Sequence, residues 1–168
     1  MNAIQESGMT DQLPVLFVDA NVLIEAVFFP KSAAAIICDL VASGTFDMAT
    51  CSMVAEDAER AMLNKITNST ELEIIVQRWT SLKKLLRLQI SPDPSLDTVK
   101  EVYDRYIGLM RHKADIPVLA SAINYSPALY VILSNNREHF NDLVSARCGI
   151  KILACAEFLE MLATKSGG

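Results

Sequence analysis

The sequence lacks any apolar run long enough to cross a membrane. Its longest apolar runs, at residues 13–18 and 129–133, are far shorter than the roughly 20 residues that a transmembrane helix needs. Residues 1–12 also lack the basic start, apolar middle and small-residue cleavage site of a secretory signal. We therefore expect a cytoplasmic protein without a membrane span.

The sequence also lacks paired cysteines and an excess of positive charge. Its cysteines are far apart and lie among apolar or small neighbours, so they do not fit a zinc site and are predicted to be reduced thiols of the core. Lysine and arginine number 15 against 20 acidic residues, which gives a net charge of −5. This balance excludes binding of nucleic acid through bulk positive charge, and any such contact must be local.

The length of 168 residues and the hydrophobic share of 51% indicate one compact domain. Residues 1–12 and 164–168 are polar and without pattern, so we expect a flexible N-terminal segment, a domain over residues 13–163 and a flexible tail. No internal repeat or low-complexity segment interrupts the domain.

Predicted strands alternate with predicted helices along the domain. Apolar runs predict strands at residues 13–18, 45–49, 129–133 and 150–153. Helical spacing of apolar residues and cap residues predict helices at 21–28, 32–43, 52–64, 70–88, from 97 onward and at 116–125, and a closing helix. This order favours an α/β fold with a mostly parallel central sheet, whose ligands bind beyond the carboxyl ends of the strands.

An acidic residue follows the first predicted strand. Asp19 comes at the end of a run that reads as a strand buried on both faces. A carboxylate there is costly unless it has a partner, and a hard cation such as Mg²⁺ or Mn²⁺ would be one. The alternative is that Asp19 only caps the helix after the strand.

Three further positions are candidates, each with a simpler explanation. Glu56 lies on the helix after the second strand, where a glutamate is commonly solvated. Asp115 opens a helix and could be its N-cap. Asn136 follows the strand at 129–133, within a segment where Asn135 and Glu138 fit a capping pattern.

The order of these segments resembles that of PIN domains, including the VapC-type ribonuclease toxins. FVDANVLIEAV is similar to the opening strand and acidic residue of the family, TCSMVAE to its second acidic segment, HKADIPVLASAI to its third and VILSNNREHF to its fourth. The likeness spans residues 14–160. It implies a three-layer α/β/α sandwich and a Mg²⁺- or Mn²⁺-dependent endoribonuclease that cuts single-stranded RNA.

The resemblance also implies roles for individual residues. Asp19, Glu56 and Asp115 would be the metal ligands, and Asn136 would add a neutral oxygen where the family often has Asp. Asn21 would hydrogen-bond Asp19 and lie beside the substrate.

Local basic residues would hold the RNA. Arg137 is the first candidate, followed by Arg111, His112 and Lys113, although all of these could be ordinary solvated charges. The two histidines lack the sequence pairing of a general base or a zinc site, and Trp79, Tyr103 and Tyr106 have the spacing of core residues.

The resemblance implies partners as well as residues. A toxin of this type would have an antitoxin-like protein covering its acidic pocket, and a homodimer is a further expectation. The change from Asp to Asn at position 136 removes one charge, which Glu138 or Asp142 would have to replace.

Two other functions compete with the nuclease. A phosphatase of the haloacid-dehalogenase type also has an Asp at the end of a strand, but its second Asp is replaced here by Asn21, which cannot act as a general acid. A PIN-like RNA-binding or protein-interaction module without catalysis is the stronger alternative, because Asn136 departs from the family pattern.

Overall fold

A computed structural model describes residues 12–125, 128–136 and 138–167. Five strands alternate with eight α-helices in this part of the chain. The strands are β1 (Val15–Val18), β2 (Asp47–Cys51), β3 (Gln89–Ser91), β4 (Val131–Leu133) and β5 (Lys151–Leu153). The helices are α1 (Ala20–Phe28), α2 (Ala33–Ala42), α3 (Ser52–Asn64), α4 (Ser69–Leu86), α5 (Leu96–Tyr106), α6 (Ile116–Ile123), α7 (Asp142–Cys148) and α8 (Cys155–Ser166).

The strands form one sheet in the order β3-β2-β1-β4-β5, and every neighbouring pair is parallel. All four residues of β1 are buried, although successive side chains point to opposite faces of the sheet. Helices therefore cover both faces. The predicted three-layer α/β/α fold is confirmed, and its sheet is parallel throughout.

The apolar residues that predicted strands and helices form the core. The largest fully buried side chains come from both ends of the chain and include Phe17, Phe140 and Phe158. Trp79 and Tyr106 are buried, as their helical spacing predicts. Cys38, Cys51 and Cys155 are free and buried, and Cys148 is half-buried, which agrees with core thiols.

Two elements were absent from the sequence prediction. Strand β3 is only three residues long and pairs with β2 at the edge of the sheet, where Ile90 lies opposite Thr50. Helix α7 is capped at its N-terminus by Asn141, whose side chain accepts a hydrogen bond from the Val144 N–H at 3.1 Å, and at its C-terminus by Gly149 with φ 74°. Helix α8 continues through residues 164–166, which the sequence had placed in the tail.

No single helix in the described ranges is long and apolar enough to cross a membrane. Helices α1 and α2 meet that requirement of length and composition only as a pair bent by 93°.

Candidate active site at the carboxyl edge of the sheet

The first candidate residue lies where the two central strands end. Val18 of β1 pairs with Leu133 of β4, so Asp19 and Ser134, the next residues, leave the sheet side by side. The Asp19 N–H donates to the Leu133 carbonyl at 3.0 Å. On the other side, the buried Thr50 hydroxyl donates to the Val18 carbonyl at 2.8 Å. Backbone and side-chain hydrogen bonds thus fix the point from which the Asp19 side chain projects.

The Asp19 carboxylate is buried and held by three donors. Its Oδ1 accepts a hydrogen bond from the Ala20 N–H at 2.8 Å, so Asp19 is the N-cap of α1 as well as a site candidate. Its Oδ2 accepts from the Ser134 hydroxyl at 3.0 Å and from Asn21 Nδ2 at 3.3 Å. Since each carboxylate oxygen has two lone pairs, Oδ1 still has acceptor capacity for a ligand.

Asn21 joins Asp19 to a wider polar network. Its Nδ2 donates to Asp19, as predicted, and its Oδ1 accepts from the Asn135 N–H at 3.1 Å. The Asn135 amide in turn donates to Glu25 Oε2 and accepts from the Cys155 N–H at 2.9 Å. Asn135 therefore bridges α1 and the start of α8 rather than capping a helix of its own segment, which corrects the capping pattern assigned from sequence.

Asp115 lies at the end of a short 3₁₀ turn, Lys113–Asp115, which leads into α6. Asp115 occupies the N-cap position of α6, as its simpler explanation predicts, but its side chain makes no capping hydrogen bond. Its Oδ2 is buried, and no described residue offers it a hydrogen bond. A buried acceptor without a partner costs roughly 1–3 kcal/mol, and this cost suggests a ligand at this oxygen.

The electrostatics connect Asp115 with Asp19. Burial raises the pKa of Asp115, the nearby His139 opposes that rise, and the negative charge of Asp19 adds to it. A bound cation would favour the charged form of Asp115 and so oppose this rise in its pKa.

Two loops pack against each other beside Asp115. Arg111 forms an exposed ion pair with Glu138 at 3.2 Å, and the rings of His112 and His139 meet edge to face with centroids 4.8 Å apart. His139 Nδ1 lies 3.2 Å from Asp115 Oδ2. The Glu138 carboxylate thus pairs with Arg111 at the surface, so it does not replace the negative charge that is missing at position 136.

Asn136 uses its side chain within its own loop. Its Oδ1 accepts a hydrogen bond from the Glu138 N–H at 3.1 Å, and its N–H donates to the Ser134 hydroxyl at 3.3 Å. Glu56 is exposed on the first half of α3, which begins where β2 ends. Both residues therefore lie near the carboxyl edge of the sheet, but neither contacts Asp19 or Asp115 through a described hydrogen bond or ion pair.

The chemistry of the donors fits a hard cation in part. Asp19 and Asp115 provide buried carboxylate oxygens, and Asp115 Oδ2 accepts no hydrogen bond within the described ranges. Across residues 12–125, 128–136 and 138–167, however, no three His, Cys, Asp or Glu side chains form a group that could hold a metal ion. Glu56 as the third ligand, and Asn136 as a contributor, remain predictions from the resemblance.

Two residues of the site escaped the sequence analysis. Ser134 was quoted only as part of a motif, yet it is buried and donates to Asp19. Its signal was its position directly after a buried strand. His139 gave no signal, because its nearness to His112 and Asp115 arises only from the packing of two separate loops.

The predicted basic residues are partly described. Arg137 lies outside the described residues. Arg111 and Lys113 are exposed beside Asp115, so they can meet an anionic ligand there. Away from this edge of the sheet, Lys83 of α4 pairs with Glu59 at 3.2 Å, and the Trp79 Nε1–H donates to the same carboxylate at 2.7 Å.

Comparison with known proteins shows a similar fold but no related sequence. No family model and no curated protein matches the sequence. The fold is similar to that of VapBC2 from Rickettsia felis bound to a DNA fragment from its promoter, with a TM-score of 0.57, 16% identity, and coverage of 83% of this chain and 98% of that chain. It is also similar to FitAB bound to the IR36 DNA fragment, with a TM-score of 0.61, 14% identity, and coverage of 83% and 94%. The protein has a PIN-like fold.

Proposed function

We propose that this protein is a divalent-metal-dependent endoribonuclease that cuts single-stranded RNA at the carboxyl edge of its sheet. The observation that carries the proposal is the buried carboxylate of Asp19 together with the half-buried Asp115, whose buried Oδ2 accepts no hydrogen bond from a described residue. An acid whose pKa is raised by burial, as that of Asp115 is, favours a functional site when it lies at the ligand-binding edge of a sheet.

Mg²⁺ or Mn²⁺ at these carboxylates would activate water and neutralise charge on the scissile phosphate. Asp19 and Asp115 would hold it, and Glu56 would complete the ligands from α3. Ser134 and Asn21 hold the Asp19 carboxylate in place through hydrogen bonds to Oδ2. Such supporting donors fix the orientation of a ligand and tune its affinity.

The RNA would reach the site over the loop at 111–113. Arg111 and Lys113 are exposed beside Asp115, and both can contact phosphate oxygens without the chain having a net positive charge. Arg137 is a further contact in this proposal. Because these charges are few, affinity should depend less steeply on salt than that of a protein with a broad basic face.

Cleavage of end-labelled oligonucleotides tests the proposal. The substrates are a single-stranded RNA, its duplex and the DNA of the same sequence, each incubated with Mg²⁺, with Mn²⁺ or with EDTA. The expected result is internal cutting of the single-stranded RNA alone, with full loss in EDTA and recovery when metal is returned. Cutting that persists in EDTA, or equal cutting of all three substrates, would contradict it.

We also propose that the protein is the toxin of a toxin–antitoxin pair and acts in the cytoplasm, where its free thiols stay reduced. Several apolar side chains of α4 are exposed, and a groove of about 230 Å³ between α3 and α4 is lined by Met62, Leu63, Val76 and Trp79. A helix with an apolar face fits such a groove. The two similar structures described above, VapBC2 and FitAB, are each bound to a DNA fragment.

The partner proposal is tested through the neighbouring genes. A small protein encoded beside this chain should co-purify with it and suppress its cleavage of RNA. A chain that purifies alone and homodimeric, with no such neighbour, would favour a role in RNA processing.

A binding module without catalysis is the second candidate. The side-chain oxygen of Asn136 is engaged by the Glu138 N–H, and Glu56 is exposed, so fewer acids converge than a full nuclease site would hold. This alternative predicts that the protein binds single-stranded RNA equally well with metal and with EDTA, and never cuts it. Fluorescence anisotropy with a labelled RNA, run beside the cleavage assay, separates the two functions.

A further inference from the structure

Asn135 uses its side-chain amide to join two helices. Its Oδ1 accepts a hydrogen bond from the Cys155 N–H at 2.9 Å, and its Nδ2 donates to the Glu25 carboxylate on α1. The first N–H groups of a helix have no partner within the helix, and Ala154, the N-cap residue of α8, has no side-chain oxygen to offer them. Asn135 therefore supplies this acceptor to α8 from another segment of the chain.

The two partners fix the direction in which the Asn135 amide faces. The Cys155 N–H is a donor and requires the amide oxygen, whereas the ionised Glu25 carboxylate is an acceptor and requires the amide nitrogen. The Glu25 charge also lies close enough to Cys155 to raise the pKa of its thiol, after the larger effect of burial. Because a hydrogen bond to a charged acceptor is stronger than one to a neutral acceptor, Glu25 holds the Asn135 amide firmly.

The backbone of Asn135 extends this order to Asn21. The Asn135 N–H donates to Asn21 Oδ1 at 3.1 Å, so Asn21 Nδ2 is left to donate to Asp19 Oδ2 at 3.3 Å. If the Asn21 amide were reversed, its nitrogen would face an N–H and its oxygen would face a carboxylate, and both hydrogen bonds would be lost. The direction of the hydrogen bonds is thus set from Glu25 through Asn135 and Asn21 to Asp19.

We propose that Glu25 and Asn135 are positioning residues of the nuclease site, which orient Asp19 through Asn21 and make no contact with the RNA. The inference rests on the proposed function, because it assigns these residues to the site in which RNA is cut. Replacing a supporting residue of this kind typically costs roughly 10–100-fold in activity. Asn135 is exposed, so the competing explanation is that it binds the RNA directly.

A pair of complementary substitutions tests the order of donors and acceptors. Asn135→Asp places a carboxylate against Glu25, so their hydrogen bond is lost and the two negative charges repel each other. Glu25→Gln in the same chain restores a donor opposite the new carboxylate, which can still accept the Cys155 N–H. Asn135→Asp should lower kcat for single-stranded RNA by about tenfold and leave KM within about twofold, and the double variant should recover kcat to within about threefold of the wild type.

Asn64→Asp is the control, because Asn64 is exposed at the end of α3 and the variant makes the same chemical change away from the site. It should cut at the wild-type rate, and circular dichroism should show that every variant is folded. Unchanged cleavage by Asn135→Asp, or a loss of kcat that Glu25→Gln does not reverse, would overturn the inference. A loss that lies in KM would overturn it too, in favour of direct contact with RNA.

The nitrogen-15 signal of the Asn21 side-chain amide gives a readout that needs no RNA. The signal is identified by its absence from the spectrum of Asn21→Ser. It should move in Asn135→Asp and return toward its wild-type position in the double variant, and a signal that stays in place in Asn135→Asp would overturn the inference. If the folded wild type cuts no RNA, the proposed nuclease fails, and this signal alone decides whether Glu25 and Asn135 orient Asn21.

Discussion

Replacing Ser134 with alanine should destabilise the fold and misplace Asp19 at the same time. Ser134 is 1% exposed, and its hydroxyl donates to Asp19 Oδ2 at 3.0 Å while accepting the Asn136 N–H at 3.3 Å. A hydrogen bond to a charged group contributes roughly 1.5–3 kcal/mol, so Ser134→Ala should cost about 2 kcal/mol. In a chain of this length that corresponds to a fall in Tm of about 4–8 °C.

The assay is urea unfolding followed by circular dichroism in EDTA, so that no bound metal masks the effect. Ser81→Ala is the matched control, because Ser81 is exposed within the C-terminal third of α4. Alanine favours a helix slightly over serine, so the control should be neutral or more stable by a few tenths of a kcal/mol.

A double-mutant cycle with Asp19→Asn isolates the interaction. If the charge of Asp19 strengthens the bond, Ser134→Ala should cost about 1 kcal/mol less in the Asp19→Asn background than in the wild type. Equal costs in both backgrounds would refute the reasoning, since the hydroxyl would then stabilise the fold independently of the carboxylate.

Three further predictions address the acids and the amide of the site and its surroundings. Asp115→Asn should be more stable than the wild type at pH 7 in EDTA, by about 1 kcal/mol. The pKa of Asp115 is raised in the folded protein, so the wild type loses stability as the pH rises above the ordinary pKa of 3.8. Thermal unfolding checks this, and the advantage should vanish at a pH below 3.8, where the acid is protonated in both states. Glu59→Gln should lower the free energy of unfolding by about 0.5 kcal/mol at pH 7, because the hydrogen bond from the Trp79 indole lowers the pKa of Glu59. In urea unfolding, this loss should fade as the pH falls below the ordinary pKa of 4.5. A loss that stays constant with pH would contradict this role of Trp79. Asn136→Asp keeps an oxygen that can accept the Glu138 N–H and adds a negative charge. Titration calorimetry should therefore find Mg²⁺ bound about tenfold more tightly than by the wild type. An unchanged affinity would place position 136 away from the ion.

The central sheet could be predicted because its strands are buried on both faces. The runs at 13–18 and 129–133 are continuously apolar, and they correspond to β1 and β4, where all described residues are buried. Strand β3 could not be found in this way. It has three residues at the edge of the sheet, two of them exposed, and its position depends on pairing with β2 rather than on its own composition.

The candidate site was predictable only where a residue follows a strand. Asp19 has that signal, and its capping of α1 shows that the simpler explanation and the functional one are compatible. Asp115 depends on how α6 meets the sheet, and its unpartnered oxygen cannot be read from sequence. His139 was set aside because the histidines lack the sequence pairing of a general base or a zinc site. Its contacts with His112 and Asp115 come from the packing of the loops at 111–115 and 138–140, which sequence spacing does not reveal.

The most direct test of the proposed nuclease is the rate at which purified wild-type protein cuts labelled single-stranded RNA in Mn²⁺, measured beside Asp19→Asn and Asp39→Asn. Asp39 is exposed on α2, so its variant makes the same chemical change away from the site. We predict that Asp39→Asn cuts at the wild-type rate and that Asp19→Asn, although folded, loses cleavage by at least about 100-fold. Equal cleavage by all three proteins, or none by the folded wild type, would contradict the account.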